Sequence, residues 1–162
     1  MTVPGTEGDV VVVGLEAVPE LAATIARRYH EAWSRDDSPR ERERMLEEVR
    51  RSLDPASLPV TRVATRGGRF AGAAQLKVRE MARYPEFEWW LGGVFVAPEH
   101  RGAGLATRLV AACVDEAVRR GLPRLHLQTE HPDGGLYARA GWRPVERIVE
   151  HGLDKLVMVR EL

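Results

Sequence analysis

The sequence predicts a single-domain α/β protein in which helices cover a mixed sheet to give a single α/β layer. Three observations carry that expectation. Short β-branched and apolar runs alternate along the chain with longer segments of helical spacing. The 162 residues, 44% hydrophobic and 30% charged, suit one domain with a single core. At the centre lies the stretch Leu91 to Thr107, LGGVFVAPEHRGAGLAT, which reads strand, glycine turn, helix.

Residues 1–8, with Pro4, Gly5 and Gly8, read as a loose start. The run DVVVV at 9–13 is a first strand, because β-branched side chains fit a pleated surface. Pro19 suits the first turn of a helix, where its missing amide hydrogen has no partner to lose. Leu21, Ala22, Ile25, Ala26, Tyr29 and Trp33 then follow at helical spacing and share one face. Ser38-Pro39-Arg40-Glu41 opens a second helix with a capping-box pattern. Met45, Leu46, Val49 and Leu53 form its apolar stripe, and Asp54-Pro55 ends it. Its arginines and glutamates read as a solvated face with internal ion pairs.

Residues 60–65 and 70–78 read as two strands joined by the hairpin turn Arg66-Gly67-Gly68-Arg69. A loop over 80–87, carrying Pro85, leads to the central strand, which starts near Glu88. Pro98 ends that strand, since proline gives no hydrogen to a ladder. A helix over 105–120 is apolar at Leu105, Leu109, Ala112, Cys113 and Ala117, and Gly121 and Pro123 close it. Cys113 falls on the apolar side, a core residue rather than a nucleophile. Residues 124–129 alternate as a strand, and a short helix runs from Asp133 or Gly134 to Ala140, ended by Gly141. Strands over 142–149 and 156–160 close the chain around the turn at 151–154. No internal repeat interrupts this order.

A strand feeding a glycine turn and a helix makes an anion site. Glycine lets the backbone approach a ligand, and the free amides of the first helical turn point at it. The spacing selects among phosphate ligands. A dinucleotide loop needs glycine where Thr107 stands, and a Walker loop needs a lysine that is absent. What remains is R-x-x-G-x-A, spelled Arg101, Gly104 and Ala106, after V-x-V-x-P.

That pattern resembles the acetyl-coenzyme A pyrophosphate loop of the GNAT superfamily of N-acetyltransferases. A second segment, Leu136-Tyr137-Ala138-Arg139-Ala140-Gly141-Trp142, is similar to the family's L-Y-x-x-x-G-[FW] segment. The order of elements agrees from end to end, so the resemblance covers almost the whole chain, 1–162. It implies a GNAT-like fold, with a mixed, mostly antiparallel central sheet covered by helices, and acetyl-coenzyme A as cofactor. One departure stands out. Many members have an asparagine before the short helix, and here Gln128-Thr129-Glu130-His131 contains none. The Thr129 hydroxyl is the substitute candidate for a pantetheine amide.

The resemblance also implies a distribution of roles. Pyrophosphate oxygens meet Arg101, Gly102, Ala103, Gly104, Leu105, Ala106 and Thr107 at the helix start. The pantetheine arm lies along Val94, Phe95 and Val96 as an added strand does, with the Val94 amide as the simplest oxyanion donor. Tyr137 is the candidate general acid, the alternative being a tyrosine packed at a helix end. Glu88 is the candidate general base, the alternatives being an ordinary strand residue or an anchor for the substrate amine; Glu86 is a second candidate. The segments 33–39 and 80–87 frame the acceptor, with Trp33, Tyr84, Phe87 and Trp89 as walls or as core fillers. Glu80, Glu86 and Glu88 lend that region carboxylates, which Arg79 and Arg83 offset.

Composition narrows the function classes. The 24 basic and 24 acidic residues cancel, which argues against a nucleic-acid partner. No apolar run reaches the roughly 20 residues needed to span a bilayer, and MTVPGTEGD lacks signal-peptide features. A single cysteine forms no internal disulfide, and five scattered histidines have no metal-site spacing. The expectation is a cytosolic acetyltransferase, a monomer or homodimer, that acts by direct attack of a small-molecule primary amine on the thioester. Its alternatives are a non-catalytic acyl-coenzyme A sensor of the same fold and a nucleotide-binding protein.

Overall fold

In the computed structural model, which describes residues 9–162, seven strands form one sheet. They are β1 (Val10–Gly14), β2 (Val60–Arg66), β3 (Arg69–Val78), β4 (Trp89–Val96), β5 (Arg124–Thr129), β6 (Arg143–Glu150) and β7 (Leu153–Glu161). Their spatial order is β1-β2-β3-β4-β5-β7-β6. Every neighbouring pair is antiparallel except β4 and β5. The helices are α1 (Ala22–Trp33), α2 (Pro39–Arg51), α3 (Leu105–Arg119) and α4 (Gly135–Arg139). The loose start expected over 1–8 lies outside the described residues.

Helices cover both faces of the sheet rather than forming the single layer expected. Alternate residues of β2 and β3 point to opposite sides, as strand geometry requires. Ala64 and Ala74 pack with Leu105, Leu109 and Cys113 of α3, whereas Val63 and Ala73 pack with Ile25 and Tyr29 of α1 and Val49 of α2. Toward β6, no helix among the described residues covers the α1/α2 face. The loop after β3 does so instead, with Met81, Tyr84 and Phe87 against Trp90, Val157 and Ile148.

Several local expectations shift by a few residues. Pro19 opens a short 3₁₀ turn, Pro19–Leu21, and α1 begins only at Ala22. Ser38 caps α2 by accepting from the Glu41 amide at 3.2 Å. The returning half of the capping box is absent, because Arg44 holds the Glu41 carboxylate and Asp36 Oδ1 accepts from the Ser38 amide at 2.9 Å. The last turn is shorter than the four residues expected. His151 and Gly152 both adopt left-handed φ, 51° and 76°, which matches strand twist in a two-residue hairpin and starts β7 at Leu153. Pro144 is tolerated in β6 because that strand is a sheet edge with a bulge beside the proline.

Candidate active site

The parallel pair at the centre of the sheet is barely a pair. β4 and β5 meet at Trp90 and His126, and beyond that point they part. A cleft of about 1270 Å³ opens there, with Leu91 to Val94 on one wall and Leu127 to Glu130 on the other. β4 is bent by a bulge: Ala73 opposes Phe95 while Gln75 opposes Gly92, so Gly93 and Val94 share one partner position. Gly93 adopts φ +58°, and a Cβ there would lie 2.8 Å from Tyr29 Oη and 2.9 Å from Gln75 Oε1. Only glycine satisfies both demands. The Tyr29 hydroxyl donates to the Gly93 carbonyl at 2.6 Å. Burial pushes that phenol well above its ordinary range, so it remains a donor.

The glycine turn lies on the α3 side. Gly102 and Gly104 have φ +83° and +74°, and a Cβ built at either meets nothing within 4 Å. Gly104 is the N-cap of α3, and no side chain caps that helix end. Its first amides therefore open onto free space, the arrangement an anionic ligand requires. Arg101 Nε donates to the Val96 carbonyl at 3.0 Å, pinning the turn to the end of β4. Arg101, Gly102, Ala103, Gly104 and Thr107 are exposed and Ala106 is half-buried; Leu105 sends its side chain into the core and offers only backbone.

On this same face Val94 and Val96 pack against the main core. Phe95 turns the other way, stacked on Phe70 and edge-on to Trp33, each at 6.2 Å. Thr129 lines the cleft and is buried. Its Oγ1 accepts from the His131 amide at 3.2 Å, which leaves the hydroxyl hydrogen free to donate. Tyr137, in α4, also lines the cleft and sits edge-on to Trp142 at 6.4 Å. Burial, with the nearby Glu80 charge adding to it, raises its phenol to about 12.

The opposite face holds the carboxylate that sequence reading had placed only loosely. Glu80 lines the cleft with its side chain 16% exposed. A Cβ at Gly92 would lie 2.5 Å from Glu80 Oε1, so this carboxylate rests directly over β4, beside the bulge. Its Oε2 is buried with no protein partner. The backbone explains the placement: Arg79 takes a left-handed φ of 49° and its amide donates to the Glu88 carbonyl at 2.7 Å, which turns Glu80 back onto the strand. The signal in the sequence was Gly92-Gly93 in mid-strand, which marks a close approach by another group.

Five of the expected catalytic and acceptor residues are not brought to the cleft. Glu88 is 42% exposed, 3.6 Å from Arg79, and Glu86 is exposed. Tyr84 and Phe87 stack on each other at 5.0 Å, and Phe87 stacks on His126 at 3.7 Å. They cover the sheet beyond the helices, which is the core-filling alternative of their reading rather than the acceptor walls. Trp89 packs against the main core. Of the four aromatics, Trp33 lines the cleft, 51% exposed.

A family model described as the acetyltransferase (GNAT) family matches residues 19–142. No curated protein matches the chain. Among solved structures, a Salmonella typhimurium protein with its cofactor acetyl-CoA is similar at TM-score 0.73 and 20% identity, over 94% of each chain. An aminoglycoside 6'-N-acetyltransferase complexed with coenzyme A gives TM-score 0.71 at 15% identity, over 93% of this chain and 96% of that one. The ribosomal-protein-alanine N-acetyltransferase of Brucella melitensis gives 0.71 at 22%, over 94% and 99%. These likenesses extend to the fold, and the neighbours' acceptors differ from one another.

Proposed function

The chain belongs to the acetyltransferase (GNAT) family, and we propose that it transfers an acetyl group from acetyl-coenzyme A to a primary amine on a small molecule. The observation that carries this reading is the convergence of Tyr137, Glu80 and the Gly93 bulge on the gap between β4 and β5.

The residues present fit the cofactor. The uncapped start of α3 and the empty space over Gly102 and Gly104 suit a pyrophosphate. Val94 to Val96 have no ladder partner on the β5 side, so their backbone is available to a pantetheine arm, with the Thr129 hydroxyl as a further donor. Bound there, acetyl-coenzyme A supplies an activated acetyl group as a thioester. Arg101 and the turn amides hold the anionic end. The Val94 amide is the oxyanion donor; Tyr29 contributes by fixing the neighbouring Gly93 carbonyl.

Glu80 takes the base role first expected of Glu88. Its free Oε2 accepts a proton from the incoming amine, directly or through water. Tyr137 supplies a hydrogen bond to the departing sulfur. With the phenol near 12 and a thiol ordinarily near 8.5, full proton transfer is uphill by roughly three pH units. Tyr137 therefore stabilises the thiolate as a donor more than it neutralises it.

Mixing the protein with acetyl-coenzyme A and separate amines, then following free thiol, tests this. The expected result is turnover of small primary amines in preference to a lysine peptide. Raised melting temperature with coenzyme A, but no thiol released by any amine, would support the acyl-coenzyme A sensor instead.

A further inference from the structure

Resting on that acetyl-transfer reading, we propose that the acceptor is a small amine that also carries a carboxylate, held by Lys77 and Lys155. Register brings these two lysines to one face of the sheet from distant parts of the chain. Lys77 pairs with Trp90, and Lys155 with Ile148. Trp90 and Ile148 belong to the same cluster on the α1/α2 face, so both ammonium groups stand on the face where Glu80 lies over Gly92. Both line the cleft and both are half-buried.

Their hydrogen bonds direct them. Lys155 Nζ donates to Gln128 Oε1 at 2.9 Å, and Lys77 Nζ stands 3.4 Å from Glu80 Oε1. Each ammonium has three donor hydrogens, so both keep capacity for a ligand, as does the Gln128 amide nitrogen. On this face of the recess Glu80 Oε2 is a buried acceptor without a protein partner among the described residues. One site for an amine beside several donors matches a molecule with one amine and one carboxylate.

The wider charge of the cleft agrees. Among the described residues, six lysines and arginines line it against four glutamates. Two of those glutamates, Glu41 and Glu48, are already paired with Arg44 at 2.6 and 3.0 Å. Arg35 and Arg51 are two of those six. A polyamine or an aminoglycoside would bring further positive charges against these groups in a partly desolvated recess, where like charges repel strongly. An amino carboxylate brings one charge of each sign.

The test compares amines in pairs, each amino carboxylate beside the amine that lacks only the carboxylate: β-alanine with ethylamine, and γ-aminobutyrate with propylamine. Spermidine and an aminoglycoside complete the panel. The expected kcat/KM ratio within a pair is about tenfold or more in favour of the carboxylate, the worth of one charge-assisted hydrogen bond. Lys155→Met and Lys77→Met should each drive that ratio toward one through KM, and Lys155→Arg should restore most of it. Retained melting-temperature response to coenzyme A keeps a folding defect from passing as support. Turnover with a ratio of one in the wild-type protein, or preference for the polycations, overturns the carboxylate proposal and leaves acetyl transfer standing. Absence of turnover with every amine overturns the acetyl-transfer reading, and this inference with it.

Discussion

On the α3 face of the sheet, the groups proposed to meet the cofactor are mostly backbone amides, drawn from one continuous stretch around Gly102 to Thr107. On the opposite face they are side chains from separate segments: Trp33 at the end of α1, Lys77 in β3 and Glu80 after it, Gln128 in β5 and Lys155 in β7. The two halves teach different things about where specificity resides. A backbone cradle recognises a phosphate by geometry that glycine and a helix end supply, whatever the neighbouring side chains are. A side-chain pocket recognises an acceptor by charge and shape, and each of its members can change independently. On the proposed reading one face marks the family, and the other marks the substrate.

The largest effect should come from the cradle. Gly104→Val places a branched side chain in the space over the helix start and forces it into a left-handed φ of +74°, which costs about 1–2 kcal/mol on its own. Coenzyme A affinity should fall by at least about a hundredfold, the loss of roughly two charge-assisted hydrogen bonds, and the melting-temperature rise with coenzyme A should vanish. Wild-type affinity in this variant would break the comparison, because the ligand would then not be held by the turn.

Next comes the base. Glu80→Gln should lower kcat/KM about a hundredfold at neutral pH, the lower end for a positioned acid or base, with coenzyme A affinity nearly unchanged. Glu88→Gln should stay within about twofold, as a surface change does. Equal losses in both variants would return the base role to the β4 entrance. A smaller effect than that of Glu80→Gln belongs to Tyr137→Phe, about tenfold in kcat, one hydrogen bond to a charged sulfur. Because burial holds the Tyr137 phenol protonated up to about 12, its loss of a proton cannot shape the working range. Wild-type kcat/KM should rise with pH as the amine deprotonates and show no fall below about pH 10. A descending limb near pH 8 or 9 would mean a different acid.

Much of the fold was legible because its signals are local. Ser38 caps α2, the Gly67-Gly68 turn joins β2 to β3, and the Gly104 start of α3 stands where spacing put it. The open choices share one feature as well. Tyr84 and Phe87 read as acceptor walls or as core fillers, because aromatics beside a cleft can do either. Here they fill a gap in the cover of the sheet over Trp90, His126 and Val157. Glu88 read as the base from its position along the chain. Its strand neighbour Arg79 holds it at the surface while the turn at Arg79 sends Glu80 inward.

By itself, then, the sequence determined the elements, the glycine turn before α3 and Tyr137's place in a short helix, since each depends on residues close together in the chain. Tertiary structure alone decided that β4 and β5 part after Trp90, that Tyr29 grips the Gly93 carbonyl across 64 positions, and that Lys77, Glu80 and Lys155 share one face. Those outcomes depend on strand register and on which turn residues adopt left-handed backbone. A shift of one residue in either would send the same side chains to the opposite side of the sheet.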